Sequence, residues 1–371
     1  MYEGFFFNPS HRAGLGIARR QVKKTRIGIA MSGGVDSTAC ALLLRDHYQV
    51  EGFFMHLAQP GFAAQEERVQ SIAVRLGIPL HVIDLRLPFA EKVLDYFSDS
   101  YFKGLTPNPC VICNREIKFG LFMDAMLSFG MTAMATGHYA KILKTGNIHR
   151  LYMGLDPKKD QSYFLSRLTQ EQLARIIMPL GERTKESTYR FVEEHGFDDF
   201  HGLESQDVCF LSNNEIGNFL EDRAPAGIAG GPILSTTGKH LGRHRGLFRY
   251  TIGQRRGLGI SSEAPLYVVG LDALTNAVIV GSNLDLLKDR ILAEKFHWLA
   301  GTAPDTDKRY TVRIRYSHSG SMAQLALQDD GAGEIFFAEP QRAITPGQFA
   351  VVYDDTELLG SGIIVGDKSP R

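Results

Sequence analysis

Cysteine is scarce in this 371-residue chain, which has four thiols, at Cys40, Cys110, Cys113 and Cys209. Four thiols cannot staple a chain of this length into a disulfide scaffold, and their scarcity fits a reducing, cytoplasmic setting. Long apolar runs are also missing: no stretch nears the roughly 18 residues that a spanning helix needs, which argues against integral membrane function. Neither charge is in excess, since 41 Lys and Arg balance 41 Asp and Glu. That balance argues against a protein that coats nucleic acid through a uniform positive field, while leaving room for a local basic face. Residues 1–24 hold the aromatic cluster Phe5, Phe6 and Phe7 and scattered Arg and Lys, without the apolar stretch and small-residue cleavage pattern of a signal peptide. They read as an arm or strand added before the first domain.

What is present is enough apolar residue, 44% of the chain, to bury several cores, and a length that implies two or three domains. From Thr25 the pattern alternates. Arg26 to Met31 reads as a strand, Asp36 to Arg45 as a helix, Val50 to Met55 as a strand, Glu66 to Leu76 as a helix and His81 to Leu85 as a strand. A helix after Asn114 and the apolar run Met131 to Ala135 continue the alternation, which predicts a parallel sheet covered on both faces. Ligands of such sheets bind beyond the carboxyl ends of the strands, where Ser32 and Gly137 fall. Glu171 to Glu194 reads as one helical segment. After Asp289, Tyr310 to Tyr316, Ala323 to Leu327, Glu334 to Ala338 and Phe349 to Tyr353 read as strands of a small barrel or sandwich. The predicted division is an extension over 1–24, an α/β nucleotide-binding and catalytic domain over 25–210, a small central domain over 211–287 and a C-terminal β-barrel over 288–371.

The loop Met31-Ser32-Gly33-Gly34-Val35-Asp36-Ser37 carries the most chemistry. Two glycines allow tight folding against a ligand, two serines offer hydroxyls, and the following helix presents free N–H groups to an anion. No Gly-Lys-Ser/Thr follows, so it is not a Walker loop. It resembles the pyrophosphatase (PP) loop of ATP-adenylating enzymes. Thr106-Pro107-Asn108-Pro109-Cys110-Val111-Ile112-Cys113-Asn114 places two thiols at C-x-x-C spacing in a proline-stiffened loop ahead of a helix, where the dipole favours the reactive thiolate. Ser205-Gln206-Asp207-Val208-Cys209-Phe210 supplies a third thiol. Zinc would want a fourth ligand that the motif contexts do not offer. Cys40, among Ala39, Ala41 and Leu42, reads as a small core residue.

With these motifs the chain resembles the tRNA-specific 2-thiouridylases. The resemblance runs from about Arg26 to the C-terminus, through the Ser32 to Ser37 loop, Gly52 to Met55, Pro107 to Phe119, Thr136 to Ala140, Lys159 to Leu165, Gln206 to Phe210, Tyr250 to Arg255, Arg313 to Tyr316 and Thr345 to Gln348. It implies a PP-loop domain of the adenine nucleotide alpha-hydrolase-like fold, a small central domain and a C-terminal β-barrel. It also implies ATP-dependent adenylation of a wobble uridine, assisted by Mg²⁺, followed by sulfur transfer. Ala30, Met31, Ser32, Gly33, Gly34, Val35, Asp36, Ser37, Met55 and Gly137 look like the ATP site, with Asp36 among the catalytic groups. Cys113 matches the sulfur-carrying nucleophile and Cys209 its partner. Asn108 and Pro109 match the strip beside the target base. His138, Lys159, Asp160, Gln161, Arg315, Tyr316 and Gln348 match contacts to the tRNA, whose anticodon loop is the implied partner. The sulfur donor is expected to be sulfide or a sulfur-carrier protein.

Two features depart from the family pattern. Cys110 stands where an aspartate is usual, and His56-Leu57-Ala58-Gln59-Pro60 replaces the Asn-Trp and acidic stretch after Met55. The first leads us to expect that Cys110, Cys113 and Cys209 hold a [4Fe–4S] cluster with one iron open, since thiolates are its ordinary ligands, with a persulfide on Cys113 as the alternative route. The alternatives in function are a PP-loop amide synthetase, which has no use for the thiols, and a non-catalytic tRNA-binding protein.

Overall fold

A computed structural model describes residues 24–57, 59–198, 200, 209–211, 216–225 and 230–366. The extension read over 1–24, except Lys24, lies outside the described residues, as do Gln206, Asp207 and Val208.

The first body is a five-stranded parallel sheet. Its strands are β1 (Arg26–Met31), β2 (Gln49–His56), β3 (Leu80–Asp84), β4 (Ala133–Ala135) and, after a hairpin of β5 (Ala140–Thr145) and β6 (Ile148–Met153), β7 (Ile176–Ile177), in the order β3-β2-β1-β4-β7. Helices α1 (Val35–Leu44) and α2 (Phe62–Leu76) follow β1 and β2. Ile27, Ile29, Ala39, Ala41, Val50, Phe54, Val69 and Ile72 share a core under these helices. Cys40 is fully buried in the same core, as a small apolar residue would be. The order reverses between β1 and β4, so the crevice at the carboxyl ends of these strands is where such a sheet accepts a ligand.

The single helical segment expected over Glu171 to Glu194 is broken in two. Gln170–Leu173 is one turn closed by a capping box at Thr169, β7 follows, and a new helix runs over Lys185–Glu194. Pro179 and Gly181 interrupt the helix, and Thr184 starts the next one by accepting the Ser187 N–H at 3.1 Å.

A four-stranded sheet, β8 (Pro232–Ser235), β9 (His240–Arg243), β10 (Tyr267–Asp272) and β11 (Ala277–Gly281), surrounds its own apolar core of Ile233, Val268, Val278 and Val280. Beyond it, β12 (Leu287–Trp298), β13 (Arg309–Arg313), β14 (Ser321–Leu327), β15 (Gly333–Arg342), β16 (Phe349–Asp354) and β17 (Glu357–Val365) form a barrel. The pairing of β12 with β17 closes it at six strands. The four barrel strands expected from sequence are present, and β12 and β17 complete the set.

The barrel is not a detachable module. The β5–β6 hairpin, from within the first domain's sequence, adds to its edge through β6 against β17. Phe349, Val351 and Tyr353 of β16 pack into the core that holds Tyr163, Ile117 and Phe119. Each such side chain contributes about 1.5–3 kcal/mol when fully buried, so together they rival the net stability of a whole domain. A buried ion pair crosses the same junction: Arg313 Nη1 donates to Asp160 Oδ2 at 2.9 Å, with Asp160 side-chain exposure of 3%. Asp160 also accepts from the N–H groups of Gly154 and Ser162. Asp160→Ala is expected to lower stability by about 3–5 kcal/mol, because it leaves the Arg313 charge buried without that carboxylate. Urea unfolding measures this, and a loss under about 1 kcal/mol would contradict a structural role.

Candidate active site

The loop after β1 folds as its composition requires. Gly33 has φ +78°, in the left-handed region that glycine adopts without strain. Ser37 Oγ donates to the Gly34 carbonyl at 3.0 Å and accepts the Ser32 N–H at 3.2 Å, which tightens the turn. Gly34 caps α1 without any side-chain cap, leaving the first N–H groups of the helix for a ligand. Gly137, at the end of β4, approaches α1 so closely that a Cβ there would lie 2.7 Å from Asp36 Cβ. Gly137→Ala is therefore expected to push α1 and its loop aside and to weaken ATP binding at least about tenfold, read by calorimetry. Unchanged affinity would remove Gly137 from the site.

Asp36, in the first turn of α1, is held from two sides. Tyr139 Oη donates to its carboxylate at 2.9 Å, and Lys185 Nζ donates to its two oxygens at 2.9 and 2.8 Å. Lys185 escaped the sequence reading because a continuous helix over Glu171 to Glu194 put it mid-helix, whereas it opens a new one beside the loop. Its signal was the Thr184-Lys185 pair at a helix start.

Met31 and Ser32 open into a cavity of about 540 Å³ that also takes in Met55, Pro109, Cys110, Cys113, Cys209 and His138. Its near wall is the replaced stretch after Met55. Gln59 braces that stretch by accepting the Leu57 N–H at 2.7 Å and donating to the Met55 carbonyl at 3.2 Å, and Gln65 ties it to the loop through the Ser32 carbonyl.

The far wall carries the thiols. The C-x-x-C does not precede a helix but begins one: Asn108 caps it by accepting the Val111 N–H, Pro109 takes the first position, and Cys113 starts a π-helix over Cys113–Phe122. All four cysteines are free. The dipole does not make these thiols acidic. Burial pushes Cys113 up to about 12 and Cys110 up to about 11, and raises Cys209 as well, against a smaller opposing pull from the Lys118 ammonium. Desolvation wins because the charged form loses its hydration wherever no partner replaces it.

Among the described residues no three His, Cys, Asp or Glu side chains stand together as a metal-ligating group. Cys110, Cys113 and Cys209 nonetheless face one cavity, and each of the first two feels the charge of Cys209.

The residues expected to touch tRNA divide into two groups. His138 is buried, its Nδ1 is 2.8 Å from Thr136 Oγ1, and burial pushes its pKa down to about 3, so it is a neutral imidazole. Gln161 lines the cavity and accepts the Tyr139 N–H. Gln348, from the barrel, donates to the carbonyls of Thr106 and Pro107 and so fixes the strip that carries Asn108 and Pro109. Arg315 and Tyr316 lie in the turn after β13, where Tyr316 packs on Phe164 of the cavity wall at 4.4 Å between ring centres. Lys159 lies in the turn after β6, half-buried. Asp160 is buried and engaged with Arg313, Gly154 and Ser162.

A parallel sheet with its glycine-rich loop at the reversal of strand order, packed against a six-stranded barrel, defines a nucleotide-binding fold of the HUP class. Family models match in order: a tRNA methyl transferase HUP domain over residues 25–213, a tRNA methyl transferase PRC-barrel domain over 217–282 and an aminomethyltransferase beta-barrel domain over 288–364. A tRNA-specific 2-thiouridylase MnmA of Desulfotalea psychrophila is 54% identical over 342 residues, covering 92% of this chain and 99% of the relative. Its namesakes in Syntrophotalea carbinolica and Geobacter metallireducens are 42% and 40% identical, each over 92% of this chain and 99% and 97% of their own. The chain belongs to the tRNA-specific 2-thiouridylase family.

Proposed function

We propose that the protein is a tRNA-uridine 2-sulfurtransferase acting on the wobble uridine, with ATP as the activating substrate. The observation that carries this reading is that the nucleotide loop and three thiols open into one cavity. A carbonyl oxygen is a poor leaving group. The uridine O2 therefore attacks the α-phosphorus of ATP, pyrophosphate departs, and the N–H groups at the start of α1 offset the charge on the phosphates. Sulfur then adds at C2, the C2–O bond breaks, and AMP carries the oxygen away. Mg²⁺ is expected on the phosphates.

The base reaches this cavity by turning out of the anticodon loop, where no pairing opposes the movement. Tyr316 and Phe164 offer it a stacking face, with Asn108, Pro109, His138, Gln161 and Gln348 shaping the entry. Lys159 and Arg315 offer charge to the RNA backbone, so binding should weaken with added salt. We assign Cys113 and Cys209 to the sulfur-transfer step. Cys110, Cys113 and Cys209 would hold a [4Fe–4S] cluster, which when bound supplies an open iron for an external sulfide. No helix among the described residues is long and apolar enough to cross a membrane, and four free thiols suit the reducing cytoplasm.

The test follows AMP release with and without tRNA, and 2-thiouridine in the digested tRNA by mass spectrometry. Release of AMP only with tRNA, with thiolated product, is expected. AMP release that needs ammonia or an amide donor and leaves tRNA unmodified would point to an amide synthetase. Anaerobic iron and sulfide analysis tests the cluster, with wild-type protein loaded and Cys110→Ala depleted. Iron-free wild type that thiolates tRNA would exclude it.

A further inference from the structure

The described lining of the cavity includes no Asp, Glu or Arg, and Lys118 is its one formally charged side chain. His138, also on the wall, is neutral. No carboxylate among the described residues lies within ion-pair distance of the Lys118 ammonium, although two other lysines nearby in the fold, Lys185 and Lys92, each have one. A half-buried cation facing a cavity of thiols, amides and apolar groups calls for an anionic occupant.

The backbone places it there. In an α-helix a residue five positions on lies about 140° around the axis, so Cys113 and Lys118 would face different ways. The segment Cys113–Phe122 is instead wound as a π-helix broken at Gly120, the kind of local departure from α geometry that accompanies functional sites. Both side chains line the same wall. The phosphates of ATP have the free N–H groups at the start of α1 to receive them.

We propose that Lys118 holds a small anionic sulfur donor, hydrosulfide, at the thiol end of the cavity. This rests on the sulfurtransferase reading and adds the class of donor to it. Lys118 is a positioning residue: it keeps the anion beside Cys113 and within reach of C2 of the activated base. A neutral or amine nucleophile gains nothing from the same ammonium.

The experiment uses the full-length protein purified anaerobically, with ATP, tRNA and sodium sulfide as the sulfur source. Lys118→Met is expected to raise the KM for sulfide about tenfold, with the KM for ATP moving less than about twofold, and Lys118→Arg to return the sulfide KM to within about threefold of wild type. Thiocyanate should compete with sulfide in wild type and lose that competition in Lys118→Met. Should the methionine variant not fold by circular dichroism, Lys118→Gln, which keeps a polar head on a shorter stem, carries the same measurement. An unchanged sulfide KM, or an equal rise for ATP, overturns the proposal. So does a wild type that ignores sulfide and thiolates only from a persulfide-bearing protein, an outcome that leaves the sulfurtransferase reading standing. Absence of tRNA-dependent AMP release from wild type would instead overturn that reading.

Discussion

Asp36→Ala is expected to reduce tRNA-dependent AMP release by on the order of a hundredfold or more. The carboxylate sits in the first turn of α1 and receives the Lys185 ammonium and the Tyr139 hydroxyl, so its removal releases both groups from the mouth of the loop. The change also has a stability component, because the Lys185 side chain is only 12% exposed and loses its pairing with Asp36. Asp36→Asn separates the two effects: it keeps the shape and one acceptor oxygen while removing the charge. If AMP release depends on the charge, both variants lose it, and the asparagine variant melts closer to wild type. Full turnover by either variant would show that the loop does not perform the adenylation.

Cys113→Ser is expected to lower the yield of 2-thiouridine by about a thousandfold while AMP release on tRNA continues. The expectation follows from the division of the cavity, with the loop at one end and Cys113, only 5% exposed, at the other. Serine is close in size to cysteine, so the packing against Val111 and Ile117 is largely kept and the effect reports the sulfur atom. Nucleoside analysis beside AMP measurement on the same samples distinguishes the steps. Thiolation above about a tenth of wild type would show that sulfur reaches the base without Cys113.

The βα alternation and the adenylating loop were legible in the sequence because they are local. A strand's apolar run, a turn's glycines and a helix's start occupy neighbouring positions, and the loop's chemistry is contained in Ser32 to Ser37. The barrel strands were legible where apolar and polar residues alternate, as in Ala323 to Leu327. The long β12, with its exposed first half and register shifts, was not. Nor was the addition of β5 and β6 to the barrel, since strand pairing between residues some two hundred positions apart leaves no mark on either segment.

The sequence by itself determined the family, the nucleotide loop and the presence of three thiols where two are usual, because each is written in short contiguous motifs. Tertiary structure decided what those groups are. It brought Cys209 to the cavity of Cys110 and Cys113, and burial there raised the Cys110 and Cys113 thiols against the helix dipole. It made Asp160 a buried partner of Arg313. It set Lys118 and Cys113 on the lining of one cavity, which α-helical spacing alone does not predict. The common reason is desolvation: the energy of a charge or a thiol depends on which distant segments exclude water from it, and that is fixed only when the chain has closed.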